Sequence, residues 1–206
     1  LPNGTKILLA VSGGADSVSL LLGMYDLVKL GKLDLRLVAA HFNHGLRDGE
    51  SDRDEQFVRE LTAERRIEFA AGRARPHAGG NLEQNARVAR YEFLGSIANS
   101  LDAFAILTGH TVNDQAETFL MNLIRGSGPE GLCGMKPIRT LEEEKRRKGE
   151  EEKSGAPSPL LPFSSSNVLV RPLLSWAKRE QTEKFCHDSQ IEYRYDTMND
   201  DTACKR

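Results

Sequence analysis

Two serines, two glycines and an aspartate lie together near the start of the chain, in Ser12-Gly13-Gly14-Ala15-Asp16-Ser17. Glycine adopts backbone angles that a side chain forbids, so the chain can approach an anion closely there. Serine hydroxyls and backbone N–H groups donate hydrogen bonds to phosphate, and a carboxylate can hold a metal ion or orient the loop. These residue types therefore predict a phosphate-binding loop, with an ordinary Ser/Gly turn between core elements as the alternative.

The elements on either side of this loop favour the phosphate interpretation. Ile7 to Val11 is an apolar run that ends at the loop, which is typical of a buried parallel strand. After the loop, apolar residues recur at helical spacing until Gly31, which can cap a helix. A strand, a tight turn and a helix in this order direct backbone N–H groups and the positive helix end outward. The loop matches neither the Walker A pattern nor the GxGxxG fingerprint.

Further apolar runs predict an α/β fold, a Rossmann-like doubly wound parallel sheet of about five strands. The later runs lie at 35–42, 67–71, 104–109 and 168–174, with helical patterns between them. Ser51-Asp52-Arg53-Asp54 resembles a capping box for the second helix, and Ser175 can cap a final helix. Residues 141–162 contain runs of Glu, Lys and Arg followed by Ser, Gly and Pro, without an apolar stripe. We expect them to form a charged, flexible insertion.

The overall composition indicates a soluble globular protein. Of the 206 residues, 39 % are hydrophobic and 28 % are charged, and no apolar run approaches membrane-spanning length. The net charge of −2 argues against a uniformly basic nucleic-acid binder. The sparse cysteines, Cys133, Cys186 and Cys204, fit reduced thiols in the cytoplasm. Because the chain begins at Leu1 rather than Met, we expect a fragment of a longer protein.

A pair of carboxylates follows the fourth predicted strand. Asp114 and Glu117 are three residues apart, so both project in the same direction from the first turn of the next helix. The helix dipole favours acidic residues at this position. At the carboxyl end of a strand, beside a phosphate loop, they also suit Mg²⁺, which prefers oxygen ligands and ATP phosphates. We favour the Mg²⁺ interpretation.

Three basic groups each have two interpretations. The segment His41-Phe42-Asn43-His44-Gly45-Leu46-Arg47 either contacts a nucleotide or forms a polar loop without a ligand. Arg87 and Arg90 lie on one helix stripe with Glu83, and they either form intrahelical ion pairs or clamp a phosphate or carboxylate. The last group either meets RNA phosphates or forms a solvated rim; it consists of Arg65, Arg66, Arg73 and Arg75.

Five motifs in one order resemble a known family. They are SGGADS at 12–17, HFNHGLR at 41–47, NLEQNARVARYEFL at 81–94, TGHTVNDQAETFLMNLIRGSGPEGLCGM at 108–135 and RPLL at 171–174. The first resembles the pyrophosphate-binding loop of the N-type ATP pyrophosphatases, and together they resemble the N-terminal domain of bacterial tRNA(Ile)-lysidine synthetases. YRYDTMND at 193–200 looks like the start of that family's closing motif, with Thr197 where a proline is usual. Asn113 stands where the family usually has an aspartate.

The resemblance implies an adenine nucleotide alpha-hydrolase-like fold and an ATP-dependent ligase. Such an enzyme joins free L-lysine to the wobble cytidine of the CAU anticodon of tRNA(Ile), through an adenylated cytidine, and releases AMP and pyrophosphate. It implies a catalytic domain over 1–206, with the family's C-terminal tRNA-binding domains outside this chain, and it leaves a homodimer open. The alternatives are a PP-loop tRNA thiolase, which adenylates a base for sulfur transfer, and a non-catalytic ATP-binding module.

The resemblance also implies roles for individual residues. Residues 12–17 would bind ATP, and Asp16, Asp114 and Glu117 would be the catalytic carboxylates that hold Mg²⁺. The remaining candidates for nucleotide or RNA contacts are His44, Arg47, Arg87, Arg90 and Gly109.

Overall fold

The computed structural model describes residues 2–45, 49–74, 82–146 and 168–194, which form one six-stranded sheet with helices on both faces. The strands are β1 Thr5–Ala10, β2 Leu35–Asn43, β3 Glu68–Arg73, β4 Ala105–Thr108, β5 Ile138–Thr140 and β6 Val168–Val170. The helices are α1 Ala15–Lys29, α2 Glu50–Glu64, α3 Leu82–Leu101, α4 Val112–Ile124, α5 Pro129–Leu132, α6 Leu141–Arg146 and α7 Arg179–Asp188. Within these ranges, none of the helices combines the length and apolar composition needed to cross a membrane.

The strand order β3-β2-β1-β4-β6-β5 confirms the predicted doubly wound α/β fold. All neighbouring strands are parallel except β5 and β6. The sheet has six strands rather than about five, because β5 is only three residues long and its Ile138 is 63 % exposed, so no apolar run marks it. The chain moves from β1 outward to β3 and then returns to place β4 on the other side of β1. Ligands of open α/β sheets bind at such a reversal, beyond the carboxyl ends of the strands.

Alternating residues of β1 divide the core into two layers. Ile7 and Leu9 pack into a cluster with α1, α2 and α7, whereas Leu8 packs into a cluster with α3 and α6. Because both faces of β1 are buried at Ile7, Leu8 and Leu9, this part of the strand is entirely apolar, as expected of a central parallel strand.

The predicted insertion begins with a helix that belongs to the core. In α6, Leu141 is 3 % exposed and Glu144 is 1 % exposed. The prediction of a flexible segment is therefore wrong for 141–146, while 147–162 lies outside the described residues. The sequence was misleading because one of the buried residues of this helix, Glu144, is a glutamate within a charged run.

Three other predicted boundaries are also wrong. Helix α2 begins at Glu50 after Gly49, which has a φ of +73°, so Ser51 lies inside the helix rather than at its cap. Helix α7 begins at Arg179, so Ser175 precedes it. Strand β6 ends at Val170, because the Arg171 N–H donates 2.8 Å to the Pro137 carbonyl and the chain then turns.

Candidate active site

A cavity of about 490 Å³ lies beyond the carboxyl ends of β1, β2 and β4, at the reversal of the strand order. The register places Ala10 of β1 beside Ala40 of β2 and Thr108 of β4, so β1 and β4 end at one level and β2 continues past them to Asn43. The first turns of α1, α4 and α7 add further walls, and residues 193–194 close one side. The fold thus brings the glycine loop and the residues after β2 and β4 into one site.

The glycine loop is organised around the Ser17 hydroxyl. Ser17 Oγ accepts hydrogen bonds from the N–H groups of Ser12, at 3.1 Å, and Gly13, at 3.3 Å, and donates one to the Gly14 carbonyl at 3.0 Å. Gly13 has a φ of +102°, which explains the need for glycine. Its N–H therefore points into the loop, and Gly13 does not line the cavity although Ser12 and Gly14 do.

The start of α1 supplies the N–H groups for an anion. The first helical hydrogen bond runs from the Val18 N–H to the Gly14 carbonyl at 3.0 Å, so the N–H groups of residues 15–17 have no acceptor within the helix. Ala15, Asp16 and Ser17 all line the cavity. Within 12–17, the N–H groups that could receive an anion therefore lie at the helix end, where the dipole also favours negative charge.

Gly109 fixes the distance between β4 and this loop. A Cβ atom at Gly109 would lie 2.7 Å from the Asp16 carbonyl oxygen and 2.9 Å from the Ser17 Cα. Both atoms belong to the backbone, so no side-chain rotation could relieve the clash. Gly109 also lines the cavity.

The three predicted carboxylates surround an arginine, Arg179, that no sequence motif marks. Arg179, the first residue of α7, lies 3.4 Å from Asp114 Oδ1 and 3.4 Å from Glu117 Oε1 through its Nη2 atom. Its Nε atom lies 3.9 Å from Asp16 Oδ2. The fold therefore brings Asp16, Asp114 and Glu117 together, with a guanidinium between them.

The second carboxylate oxygen of Asp16 and of Asp114 has a structural partner. Thr182 Oγ1 donates to Asp16 Oδ1, and the Thr111 N–H donates to Asp114 Oδ2 at 2.7 Å. Asp114 thus caps α4, as the helix-dipole interpretation requires, and still directs Oδ1 into the site. Asn113 has a structural role here: its Oδ1 accepts a hydrogen bond from the Arg179 backbone N–H at 3.0 Å, which joins α4 to α7.

Burial shifts the proton affinity of Asp16. Desolvation raises the pKa of its carboxyl, the hydrogen bond from Thr182 opposes the rise, and the nearby Asp114 adds to it. A carboxylate whose ionised form is destabilised in this way gains from a bound cation. Asp16 therefore has the electrostatic character of a cation ligand at this position.

Asp16 and Asp114 fit a magnesium ion that also binds a triphosphate. Both line the cavity, and each directs one carboxylate oxygen toward the Arg179 guanidinium, which lies between them. Mg²⁺ is commonly held by one or two carboxylates together with substrate phosphates and water. Among the described residues, no three His, Cys, Asp or Glu side chains could hold a metal ion by themselves. Glu117, with its side chain 62 % exposed, does not line the cavity.

Three histidines lie on the cavity wall. His41 Nδ1 donates to the Val11 carbonyl at 2.9 Å, and burial lowers its pKa. Burial, reinforced by Arg171, lowers the pKa of His110 to about 4, so His110 is neutral near pH 7. His44 packs edge-on against Phe42, with ring centroids 5.1 Å apart, and also lines the cavity.

The structure separates the two arginines of α3. Arg90 lines the cavity, whereas Arg87 does not and instead pairs with the buried Glu144. Arg47 lies outside the described residues. The basic group around β3 has partners within the protein. Arg65 donates a hydrogen bond to the Leu61 carbonyl and Arg73 forms an ion pair with Asp52, which favours the interpretation as a solvated rim over RNA contact.

Four residues of the site were missed because they come from distant parts of the chain. Arg179, Thr182 and Glu183 lie on α7, which carried no recognised motif, and Arg194 follows it. The Arg194 N–H donates to the Gly13 carbonyl at 2.9 Å, so this segment holds the glycine loop directly. The closing motif at 193–200 was the one sequence signal that could have placed Arg194 here.

Comparison with known proteins gives matches along almost the whole chain. A family model described as a PP-loop domain matches residues 2–206. The tRNA(Ile)-lysidine synthase of Dehalococcoides mccartyi is 37 % identical over 205 residues, which cover 95 % of this chain and 38 % of that protein. The one from Porphyromonas gingivalis W83 is 35 % identical, covering 97 % of this chain and 38 % of that protein. The chain thus spans less than half the length of these curated relatives.

A solved structure shares the fold. The U34-tRNA thiolase NcsA from Methanococcus maripaludis, with its [4Fe–4S] cluster, superposes with a TM-score of 0.66 over 94 % of this chain and 60 % of that one. Its sequence identity is 18 %, so this similarity concerns the fold alone.

Proposed function

The chain belongs to the PP-loop domain family, and on that premise we propose that it catalyses the ATP-dependent ligation of lysine to the wobble cytidine of the CAU anticodon of tRNA(Ile). The observation that carries the proposal is the cavity at the strand reversal, which is lined both by the loop 12–17, including Asp16, and by Asp114. The relatives named tRNA(Ile)-lysidine synthase supply the choice of substrate. The catalytic domain would occupy the whole chain, and the reaction would take place in the cytoplasm.

The reaction has two steps. First, the cytosine carbonyl oxygen attacks the α-phosphorus of ATP, the bond to the β-phosphate oxygen breaks, and pyrophosphate leaves. Second, the ε-amine of free L-lysine attacks the activated ring carbon, loses a proton, and displaces AMP. The cytidine must leave its stack to be reached, which a single-stranded anticodon loop permits.

The residues of the cavity suit the first step. The N–H groups at the start of α1 and the Ser12 hydroxyl would hold the leaving pyrophosphate. Asp16 and Asp114 would hold Mg²⁺, which supplies positive charge as the α–β bond breaks. Glu117 would act with them across Arg179, which lies within 3.4 Å of it. Positioning of two substrates accounts for much of the catalysis, so no covalent nucleophile is required.

The other predicted contacts have different positions relative to the cavity. His44, Arg90 and Gly109 line it and would contact the nucleotide or the cytidine. Arg87 would act indirectly, because its guanidinium pairs with Glu144. Arg47 stays a prediction, as does a homodimer.

The test is a product assay. The protein is incubated with ATP, Mg²⁺, labelled lysine and unmodified tRNA(Ile), and the RNA is analysed for bound lysine. We expect label in the RNA and one AMP and one pyrophosphate for each lysine joined. A tRNA with uridine in place of the wobble cytidine is the matched control and should remain unlabelled.

The same assay distinguishes the two alternatives. Sulfur incorporated into the tRNA from a sulfur donor, with tRNA-dependent pyrophosphate release and no lysine joined, would identify a tRNA thiolase. ATP binding without any tRNA-dependent pyrophosphate release would identify a non-catalytic module. Either result would refute the proposed ligase.

A further inference from the structure

A buried ionic cluster lies outside the cavity. Glu144 of α6 is 1 % exposed, and its carboxylate pairs with Arg87, with Arg171 at 2.8 Å and with Arg139 at 3.7 Å. The Arg171 side chain is fully buried, and it also donates 2.8 Å to the Lys136 carbonyl. Three guanidinium groups thus share one carboxylate, so Glu144 is the counter-ion on which the cluster depends.

This cluster is connected to the cavity wall through one aromatic ring. Tyr91 and Arg90 of α3 line the cavity, and the Arg90 guanidinium lies 5.2 Å from the centre of the Tyr91 ring. The Arg87 guanidinium lies 4.9 Å from the same ring. The Tyr91 hydroxyl is 3.5 Å from Glu144 Oε1, the oxygen that Arg87 also contacts. Glu144 therefore contacts the hydroxyl of the tyrosine whose ring lies under the Arg90 guanidinium.

The two arginines differ in their counter-ions. Arg87 forms an ion pair with Glu144, whereas no carboxylate in the described part of the chain forms an ion pair with Arg90. Arg90 is thus the α3 guanidinium available for an anion in the cavity. Removal of the Glu144 charge would release Arg87 from its ion pair and weaken the contact that Glu144 makes with the Tyr91 hydroxyl.

Packing of α6 against α3 fixes the position of Glu144. A Cβ atom at Gly95 of α3 would lie 2.6 Å from Leu141 Cδ2, so the two helices are in close contact there. Leu141 shares a core cluster with Tyr91 and Leu94. The helix that begins the charged segment is therefore attached to the helix that forms the cavity wall.

We propose that Glu144 is a positioning residue for the nucleotide: through Arg87 and Tyr91, it holds Arg90 in the orientation that contacts the bound triphosphate. This inference rests on the proposed function, because it takes ATP as the ligand of the cavity. It gives α6 a role in substrate binding although none of the described side chains of this helix, at 141–144, lines the cavity.

The test is a double-mutant cycle on ATP affinity. The dissociation constant of ATP with Mg²⁺ is measured by titration calorimetry for the wild type, Glu144→Gln, Arg90→Met and the double variant. We expect Glu144→Gln to raise the dissociation constant about tenfold, since small displacements of a positioning group cost factors of this size. In the Arg90→Met background, Glu144→Gln should raise it no further, because its effect passes through Arg90.

Glu142→Gln is the matched control. Glu142 is exposed on the same helix, and the substitution removes the same charge at almost the same place. We expect this variant to bind ATP as the wild type does. A tenfold loss in Glu142→Gln would mean that the net charge of α6, not the Glu144 contacts, sets the affinity, and it would overturn the proposal.

Tyr91→Phe covers the case in which Glu144→Gln does not fold. It keeps the ring and both guanidinium contacts and removes only the hydroxyl near Glu144. We expect a folded protein whose dissociation constant for ATP is raised about threefold.

Three results would overturn the inference. These are an unchanged ATP affinity in folded Glu144→Gln, additive effects of Glu144→Gln and Arg90→Met, and, where Glu144→Gln is unfolded, an unchanged affinity in Tyr91→Phe. If the wild type itself does not bind ATP, the proposed function fails, and this inference fails with it.

Discussion

Gly109→Ala tests whether the close approach of β4 to the glycine loop is needed for nucleotide binding. The added Cβ would lie 2.7 Å from the Asp16 carbonyl oxygen, and ordinary contacts begin near 3.4 Å. The start of α1 would therefore have to move by about 0.7 Å, the difference between these two distances. That movement displaces the N–H groups of residues 15–17, which are the proposed phosphate donors.

The size of the effect follows from this displacement. A shift approaching one ångström in a positioning group costs roughly ten- to a hundredfold, so we expect the dissociation constant of ATP to rise by about that factor. Overpacking against backbone costs about 1–3 kcal/mol, which lowers the melting temperature by roughly 2–12 °C for a chain of this size. Titration calorimetry with ATP and Mg²⁺, together with thermal unfolding, measures both quantities.

Gly23→Ala is the control for Gly109→Ala. Gly23 lies within α1, and a Cβ atom there would meet nothing within 4 Å. This variant should gain about 0.5–1 kcal/mol in the free energy of unfolding, because alanine favours the helix, and should bind ATP normally. Wild-type affinity in Gly109→Ala would refute the reasoning, because it would show that the loop can move without effect on the phosphate site.

The other predictions concern the carboxylates and the cysteines. Asp16→Asn should abolish ATP consumption and yet raise the melting temperature of the ligand-free protein near pH 7, since burial raises the pKa of Asp16 and its ionised form opposes folding. Because the folded-state pKa is the higher one, this gain should be absent below the ordinary pKa of an aspartate and should develop as the pH rises through the raised value. Asp114→Asn and Glu117→Gln should each leave the fold nearly intact and abolish pyrophosphate release; asparagine still accepts the cap hydrogen bonds from Thr111. Burial raises the pKa of the Cys186 thiol to about 11, so it should resist alkylation while the exposed Cys133 reacts. Replacement of all three cysteines should leave lysine ligation unchanged.

Each of these predictions has a clear counter-result. An equal melting temperature for Asp16→Asn and the wild type at pH 5 and pH 8 would show that Asp16 ionises without cost. Unchanged turnover in Asp114→Asn or Glu117→Gln would show that these groups only serve the helix end. Loss of activity in the cysteine-free protein would favour sulfur transfer over ligation.

The parts of the site that lie within one local motif could be predicted from the sequence. The loop 12–17 sits between a buried run and a helical pattern, and Asp114 follows an apolar strand, so local spacing was enough to place both at carboxyl ends of strands. Parallel strands end at the same sheet edge, so the meeting of these two groups followed from the fold class.

The parts that depend on distant contacts could not be predicted. Arg179 lies 163 residues after Asp16 in the chain and carries no local pattern. Glu144 stands in a run of glutamates and lysines that is typical of a solvated segment, and only its pairing with Arg87, 57 residues away, makes it a core residue. Arg87 and Arg90 are equivalent by helical spacing, so only the location of Glu144 distinguishes their environments.

The hydrogen bond between the Arg194 N–H and the Gly13 carbonyl has a consequence for synthesis. The two residues are 181 positions apart, so a ribosome adding about 5–20 residues per second needs roughly 9–36 s between them. During that interval the nascent polypeptide contains the glycine loop but lacks α7 and the segment after it that ends at Arg194. Nucleotide capture must therefore await nearly complete translation of the domain, and a ribosome stalled before position 179 would carry a chain unable to assemble its binding cleft.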